Sequence, residues 1–291
     1  MNPKVLIVTD SMAESLTLHE TVVHEASGVW STYYAPQGIE LFGEVHPDVL
    51  ILSFSNIHEA EHFIIMLSRE CDHFLDISCQ ILLLCGDDQL TLATALYPTG
   101  PFDALLPGRP LLDPIMLKSA VDQGFHRRQS VIAAREFSLV SLGMPLSTSK
   151  LILVIDDDVT YSDMLQHALY AGGYEVIAAR DGLQALSILR NCTPSLILLD
   201  IVMPHIDGIS ILTQIKNSDS LGAIPVIVHT GMTVQEVFDD AKKYNATGLL
   251  SKPVDRATLL RKIDACLLND TFDNAIFHTS TTSTDAFSAA E

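Results

Sequence analysis

The stretch PSLILLDIVMPHIDG, residues 194–208, decides the fold. Leu196 to Leu199 form a run that is apolar on both faces, as a strand of a sheet covered by helices on both sides must be. The run stops at a carboxylate, Asp200. MPHIDG then turns the chain into a helix, with Pro204 and Gly208 shaping the turn and Asp207 expected as the helix cap. A stretch of almost the same pattern, PDVLILS at 47–53, ends instead in a hydroxyl, Ser53.

The two stretches belong to an internal repeat. KVLIVTD (4–10) matches LILVIDD (151–157), so that Thr9 falls on Asp156, Asp10 on Asp157 and Ser53 on Asp200, each at an offset of 147. ILLLCG (81–86) matches VIVHTG (226–231) at an offset of 145, and ALLPGRP (104–110) matches GLLSKPV (248–254) at 144. In the second copy, strands are expected near 151–155, 175–178, 195–200, 224–229 and 248–251. Helices are expected near 159–171, 182–191, 207–217, 233–245 and 255–268, with Gly172-Gly173 closing the first of them. Such alternation implies parallel strands joined by right-handed crossovers. The expected fold class is therefore α/β, with two doubly wound (βα)5 domains, each on a parallel five-stranded sheet.

The spacing over 113–141 is helical and free of proline after Pro114, so the last helix of the first domain is expected to run on as a long connector. GMPLSTSK (143–150) breaks it. The domains are placed at 1–127 and 150–270, with an extended helix and linker at 128–149. A Ser/Thr/Ala-rich tail at 271–291 is expected to be disordered.

Of the 291 residues 48% are hydrophobic and 18% charged, enough apolar material for two cores. The net charge of −19 argues against non-specific binding to nucleic acid or to an anionic membrane surface. Residues 1–128 carry 17 acidic and 6 basic side chains, against 15 and 10 in residues 149–270, so most of the excess acid lies in the first copy. The five cysteines form no CxxC pair, which suits reduced core thiols in a cytoplasmic protein. MNPKVLIVTD lacks the pattern of a signal peptide, and no apolar run reaches the roughly 18 residues of a membrane span.

Ligands of an open parallel sheet bind beyond the carboxyl ends of its strands, at the switch point in strand order. In the second copy these ends carry Asp156, Asp157 and Asp158, then Asp200, Thr230 and Lys252. Asp158 reads as a helix cap. Two carboxylates about 4 Å apart repel by roughly 4 kcal/mol at an effective dielectric near 20. The cluster therefore calls for a hard divalent cation, Mg²⁺ by preference, with Lys252 as a further positive charge. Such a set can draw a phosphoryl group toward one carboxylate, with Thr230 donating to a phosphoryl oxygen.

VIDDD (154–158), LLDIVMPHIDG (198–208), HTG (229–231) and SKP (251–253) together resemble the receiver domain of two-component response regulators, a flavodoxin-like fold shared with the bacterial chemotaxis regulator. The resemblance covers 150–268 in full and 4–120 more weakly. It implies that Asp200 accepts a phosphoryl group from a phosphohistidine on a sensor histidine kinase or a histidine phosphotransfer protein. Asp157 would bind Mg²⁺ directly, Asp156 directly or through water, and the backbone carbonyl of Val202 would complete the shell together with Asp200. Thr230 would be the switch hydroxyl, and Lys252 would pair with the phosphoaspartate. Such a protein is no enzyme beyond its own phosphorylation and dephosphorylation. The chain departs from the pattern at Leu249, where receivers usually carry an aromatic residue. Val202 and Met232 are both apolar and cannot orient an attacking water, so a long-lived phosphoryl group is expected.

At the same positions the first copy has Thr9 and Asp10, Ser53 and Cys85. The lysine position falls on Gly108, or on Arg109 if one residue is inserted. One carboxylate of three survives, so Ser53 is expected to end an ordinary core strand with its hydroxyl satisfied locally. The first copy reads as a pseudo-receiver kept for dimerisation or partner docking, and a homodimer is expected.

Two other readings exist. DDDVT (156–160) also fits the DxDxT motif of haloacid dehalogenase-type phosphatases, with Asp156 as nucleophile and Asp158 as general acid. The later acidic pair of such enzymes is missing, and Asp200 is left unexplained. The other reading is a phosphorylation-independent interaction scaffold. No helix-turn-helix, GGDEF-like or kinase motif follows. Output is expected through contact with a downstream protein rather than direct DNA binding, on the face formed by Val234–Tyr244, Leu249-Leu250 and Arg256–Leu268.

Overall fold

The computed structural model describes residues 2–71, 73–77, 79–86, 88–96, 101–109, 113–123, 125, 150–231 and 241–268. The connector beyond 125, the linker, most of the helix expected over 233–245 and the tail lie outside the described residues.

The first unit contains β1 (Lys4–Thr9), β2 (Gly28–Thr32), β3 (Val49–Ser53), β4 (Gln80–Gly86) and β5 (Ala104–Arg109). The second contains β6 (Leu151–Ile155), β7 (Glu175–Ala179), β8 (Leu196–Leu199), β9 (Val226–Thr230) and β10 (Gly248–Ser251). The strand orders are β2-β1-β3-β4-β5 and β7-β6-β8-β9-β10, the same topology twice, with every pairing parallel. Two flavodoxin-like sheets therefore stand where the repeat placed them.

Helices α1 (Met12–Val22), α2 (Ala35–Val45), α3 (Ile57–Glu70) and α4 (Leu90–Leu96) serve the first sheet, with α5 (residues 114–123). Helices α6 (Val159–Tyr170), α7 (Gly182–Asn191), α8 (Gly208–Asn217) and α9 (Arg256–Leu267) serve the second. Asp158, Asp181, Asp207 and Asp255 cap these four, each accepting from the backbone N–H three residues on. Alternation along each strand divides the core. Val5 and Ile7 meet Leu18 of α1 and Leu117 of α5, while Leu6 and Val8 meet Phe42 and Phe63. Ile152 and Val154 meet Leu165 of α6 and Ile263 of α9, while Leu153 and Ile155 meet Leu186 and Ile211.

The α2–α3 side of the first unit and the α7–α8 side of the second belong to one apolar cluster. Polar contacts frame this joint. Gln214 Nε2 donates to the carbonyl of Ser68, and Arg69 Nη2 donates to the carbonyl of His205 at 3.1 Å. Asp76 accepts from Ser218 Oγ at 2.6 Å and from the N–H groups of Asp219 at 2.9 Å and Ser220 at 3.1 Å. The Arg190 side chain, 6% exposed, crosses from α7 to lie 5.5 Å above the Phe74 ring and 3.8 Å from Asp103. It also donates to the carbonyl of Cys79. A guanidinium this far out of water is tolerable only with such compensation.

The β4–β5 ladder slips by one residue. Cys85 pairs with Pro107 but Gly86 pairs with Arg109. Gly108 is thus the extra residue that the sequence comparison left open. Among the described residues no helix is long and apolar enough to cross a membrane.

Candidate functional site

β6 and β8 are neighbours, with Ile155 opposite Leu199, and the chain leaves them toward opposite edges of the sheet. This is the switch point. Asp156 and Asp157 follow β6 directly, and Asp200 follows β8. Thr230 is the last residue of β9, and Lys252 follows β10.

The fold brings these groups together. Lys252 Nζ lies 2.6 Å from Asp156 Oδ2 and 2.7 Å from Asp200 Oδ2. Asp156, Asp157 and Asp200 each offer an oxygen within 4.8 Å of the others. Asp156 is 1% exposed, Asp200 is buried and Asp157 is open to solvent. Thr230 is buried, and its carbonyl accepts the Lys252 backbone N–H at 2.8 Å.

The free carboxylate oxygens are tied down locally. Asp156 Oδ1 accepts from the Asp158 N–H at 3.0 Å, and Asp200 Oδ1 from the Val202 N–H at 3.1 Å. Asp158 Oδ1 accepts from the Tyr161 N–H at 3.1 Å, the contact of a cap rather than of a general acid. Gly208 allows the closest approach in the site. A Cβ there would stand 2.0 Å from the carbonyl oxygen of Asp200, so α8 can begin this near to Asp200 only on a glycine.

Burial pushes the Asp156 carboxyl above its ordinary range, against the pull of Lys252. Burial alone would lower Lys252, but its contacts with Asp156 and Asp200 outweigh it and hold the ammonium above its ordinary value. Lys252 therefore remains charged at neutral pH. Three carboxylates against one ammonium, all hard oxygen donors within reach of one point, fit a divalent cation such as Mg²⁺. A second group, His73, Asp76 and Asp219, has similar spacing, but Asp76 there already accepts from Ser218, Asp219 and Ser220.

Beside the site stand Tyr161, which lies outside every quoted motif, and His229, which lies in HTG but is given no role by that motif. The Tyr161 hydroxyl lies 3.1 Å from His229 Nε2, and the two rings stack with centroids 5.1 Å apart. Val254 N–H donates to the same hydroxyl at 3.2 Å, and Lys252 Nζ sits 4.9 Å from the ring centroid. His229 is 1% exposed, and burial, aided by the Lys252 charge, pushes its imidazole down to about 3. The signal for it was a histidine inside the otherwise apolar strand VIVHT.

In the first unit the equivalent positions do other work. Ser53 is fully buried and donates to Glu14 Oε1 on α1 at 2.5 Å. Asp10 Oδ2 accepts from the Ser55 N–H at 2.6 Å, and Thr9 Oγ1 donates to the carbonyl of Ser11 at 2.8 Å. Cys85 is buried near the C-terminal end of β4.

Residues 152–264 match the family model described as response regulator receiver domain. The chain is 34% identical over 116 residues to protein PilH of Pseudomonas aeruginosa, covering 40% of this chain and 96% of that protein. It is 29% identical over 118 residues to the polar-differentiation response regulator DivK of Brucella anthropi, covering 40% of this chain and 96% of DivK. Among solved structures, the chemotaxis response regulator CheY4 of Vibrio cholerae is 30% identical, with 40% of this chain and 98% of that chain covered and a TM-score of 0.39.

Proposed function

Because this chain belongs to the response regulators, through a receiver domain at residues 152–264, we propose that it takes a phosphoryl group from a partner's phosphohistidine onto Asp200. The observation that carries this reading is the single ammonium of Lys252 held between Asp156 and Asp200, at 2.6 and 2.7 Å. Asp200 Oδ1 is oriented by the Val202 N–H and Oδ2 by Lys252, which fixes the carboxylate at the end of β8. In the transfer an Asp200 oxygen bonds to phosphorus while the phosphorus–nitrogen bond breaks and the imidazole leaves. Lys252 exchanges a carboxylate contact for a phosphoryl oxygen, and the Thr230 hydroxyl donates to another. Asp156, Asp157 and Asp200, with the carbonyl of Val202, would hold Mg²⁺, which when bound offsets the charge on the phosphoryl oxygens.

The donor is a sensor histidine kinase or a histidine phosphotransfer protein, and the chain turns over no external substrate. Output runs through contact with a downstream protein, without direct DNA binding, in the cytoplasm. The first unit acts as a pseudo-receiver. Its α2–α3 side packs against the second unit, so homodimerisation would use another of its faces.

Intact mass after incubation with acetyl phosphate and Mg²⁺ tests the reading. One phosphoryl group is expected on wild type and none on Asp200→Asn. Equal uptake by the variant would place the acceptor elsewhere and overturn it. If small donors fail on wild type, a phosphohistidine protein is the next donor to try.

A further inference from the structure

Tyr161 touches three parts of the site at once. Its hydroxyl accepts the Val254 N–H at 3.2 Å and shares a hydrogen bond with His229 Nε2 at 3.1 Å. Its ring meanwhile lies beneath the Lys252 ammonium, 4.9 Å from centroid to Nζ.

These contacts close a ring of residues. Lys252 N–H is bonded to the carbonyl of Thr230 at 2.8 Å. Val254 N–H, on the other side of Pro253, is bonded to Tyr161, and Tyr161 is bonded to His229, the neighbour of Thr230. The two groups that would grip a phosphoryl group are therefore joined both directly and through Tyr161.

We infer that Tyr161 is the positioning residue for Lys252, holding its ammonium by the ring face and locking the Lys252–Val254 loop to the Thr230 strand by the hydroxyl. The inference rests on the phosphoacceptor reading of Asp200 and deepens it. A lysine stem has four rotatable carbons and three donors, so an ammonium over an aromatic face is held where a bare stem would wander. The tie also supplies a coupling between Thr230 and Lys252 that does not pass through Leu249, where no aromatic ring is present.

The test is the rate of Asp200 phosphorylation by acetyl phosphate across a Mg²⁺ series, for wild type, Tyr161→Phe, Tyr161→Leu, Lys252→Ala and the Tyr161→Leu/Lys252→Ala pair. Tyr161→Leu is expected to lower the saturating rate about tenfold, the scale of a desolvated cation–ring contact, with half-saturating Mg²⁺ unchanged. Tyr161→Phe keeps the ring and loses less. In the Lys252→Ala background Tyr161→Leu should cost nothing more, because it acts through Lys252. A tyrosine that only filled space would give losses that multiply, or a Mg²⁺ dependence that moves with the rate, and either result overturns the inference. A second readout needs no phosphorylation. The ε-methylene protons of Lys252 should resonate upfield under the ring in wild type and Tyr161→Phe, and return downfield in Tyr161→Leu. A resonance that does not move overturns the inference. If wild type takes no phosphoryl group from any donor, the Asp200 reading fails and this resonance alone judges the placement of Lys252 by Tyr161.

Discussion

Ser53 donates its hydroxyl proton to Glu14 Oε1 at 2.5 Å, at the position where the second unit holds Asp200. The carboxylate comes from a helix and the hydroxyl from the strand, the reverse of an acceptor site. Asp10, the surviving strand-end acid, meanwhile accepts from the loop after Ser53. What the first unit has kept at its strand ends is used to close the structure.

Replacing Ser53 by alanine removes a hydrogen bond to a half-buried carboxylate, and the expected cost is about 1–2 kcal/mol. Urea unfolding measures it. The mass added by acetyl phosphate should be unchanged, and a halved or lost uptake would give Ser53 a part in the chemistry.

Gly208→Ala should fail at both levels. Its Cβ would press on backbone, 2.0 Å from the Asp200 carbonyl oxygen, so α8 or the acceptor loop must shift. A loss of about 2–3 kcal/mol is expected, together with loss of phosphorylation. Gly43→Ala is the contrast. No atom lies within 4 Å of its would-be Cβ in α2, and it should stabilise by about 0.5–1 kcal/mol.

His229 sets an acid limit. Its folded imidazole is pushed down to about 3, against about 6.5 when unfolded. Well above pH 6.5 the ring is neutral in both states and its full contribution is present. As the pH falls below 6.5, the unfolded chain takes a proton that the folded chain refuses, and stability drops by about 1.4 kcal/mol per pH unit until the pH nears 3. His229→Gln should flatten that slope in denaturation series between pH 6.5 and 4. A slope equal to wild type would show that His229 does not carry it.

Arg190→Ala should open the joint. It strips Asp103 and the Cys79 carbonyl of their guanidinium, a loss of about 3 kcal/mol for a buried charged contact. Cys79 reports the opening. Burial pushes its thiol up to about 12, with Arg190 opposing, so alkylation at pH 8 should be negligible in wild type and rapid in the variant.

The phosphoryl group on Asp200 should outlast desalting. Val202, two residues on, is 59% exposed and apolar, so its side chain orients no water. Val202→Asn is expected to shorten the lifetime several-fold in Mg²⁺ buffer, followed by intact mass. Decay of the wild-type form within seconds would count against this account.

The strand runs, the repeat and the caps at Asp158 and Asp207 were readable because their causes are local, a face pattern or an acid three residues before an N–H. The site was readable for a related reason. Strand ends of a parallel sheet converge, so Asp156, Asp157, Asp200 and Lys252 could be assembled from topology alone. The joint was not. Arg190 finds Phe74 and Asp103, and Asp76 finds Ser218, across sequence distances no periodicity spans. Tyr161 escaped because it looked like an ordinary member of its helix, and the part played by His229, though it stands in HTG, because it looked like an ordinary member of its strand. The insertion at Gly108 was visible only as an ambiguity, which the slipped ladder resolves.

The apolar cluster that runs from Leu6 through Phe63 and Ile211 to Leu249 bears on how such a chain can be inherited. A module exchanged between genes must carry its whole wettable surface with it. This second unit would arrive elsewhere with the α7–α8 side greasy and an arginine seeking a partner. It can be transplanted only together with its companion, or with new polar side chains on that side. On that count the two units form one heritable cassette, in which the first is a cover that the α7–α8 side of the second cannot do without.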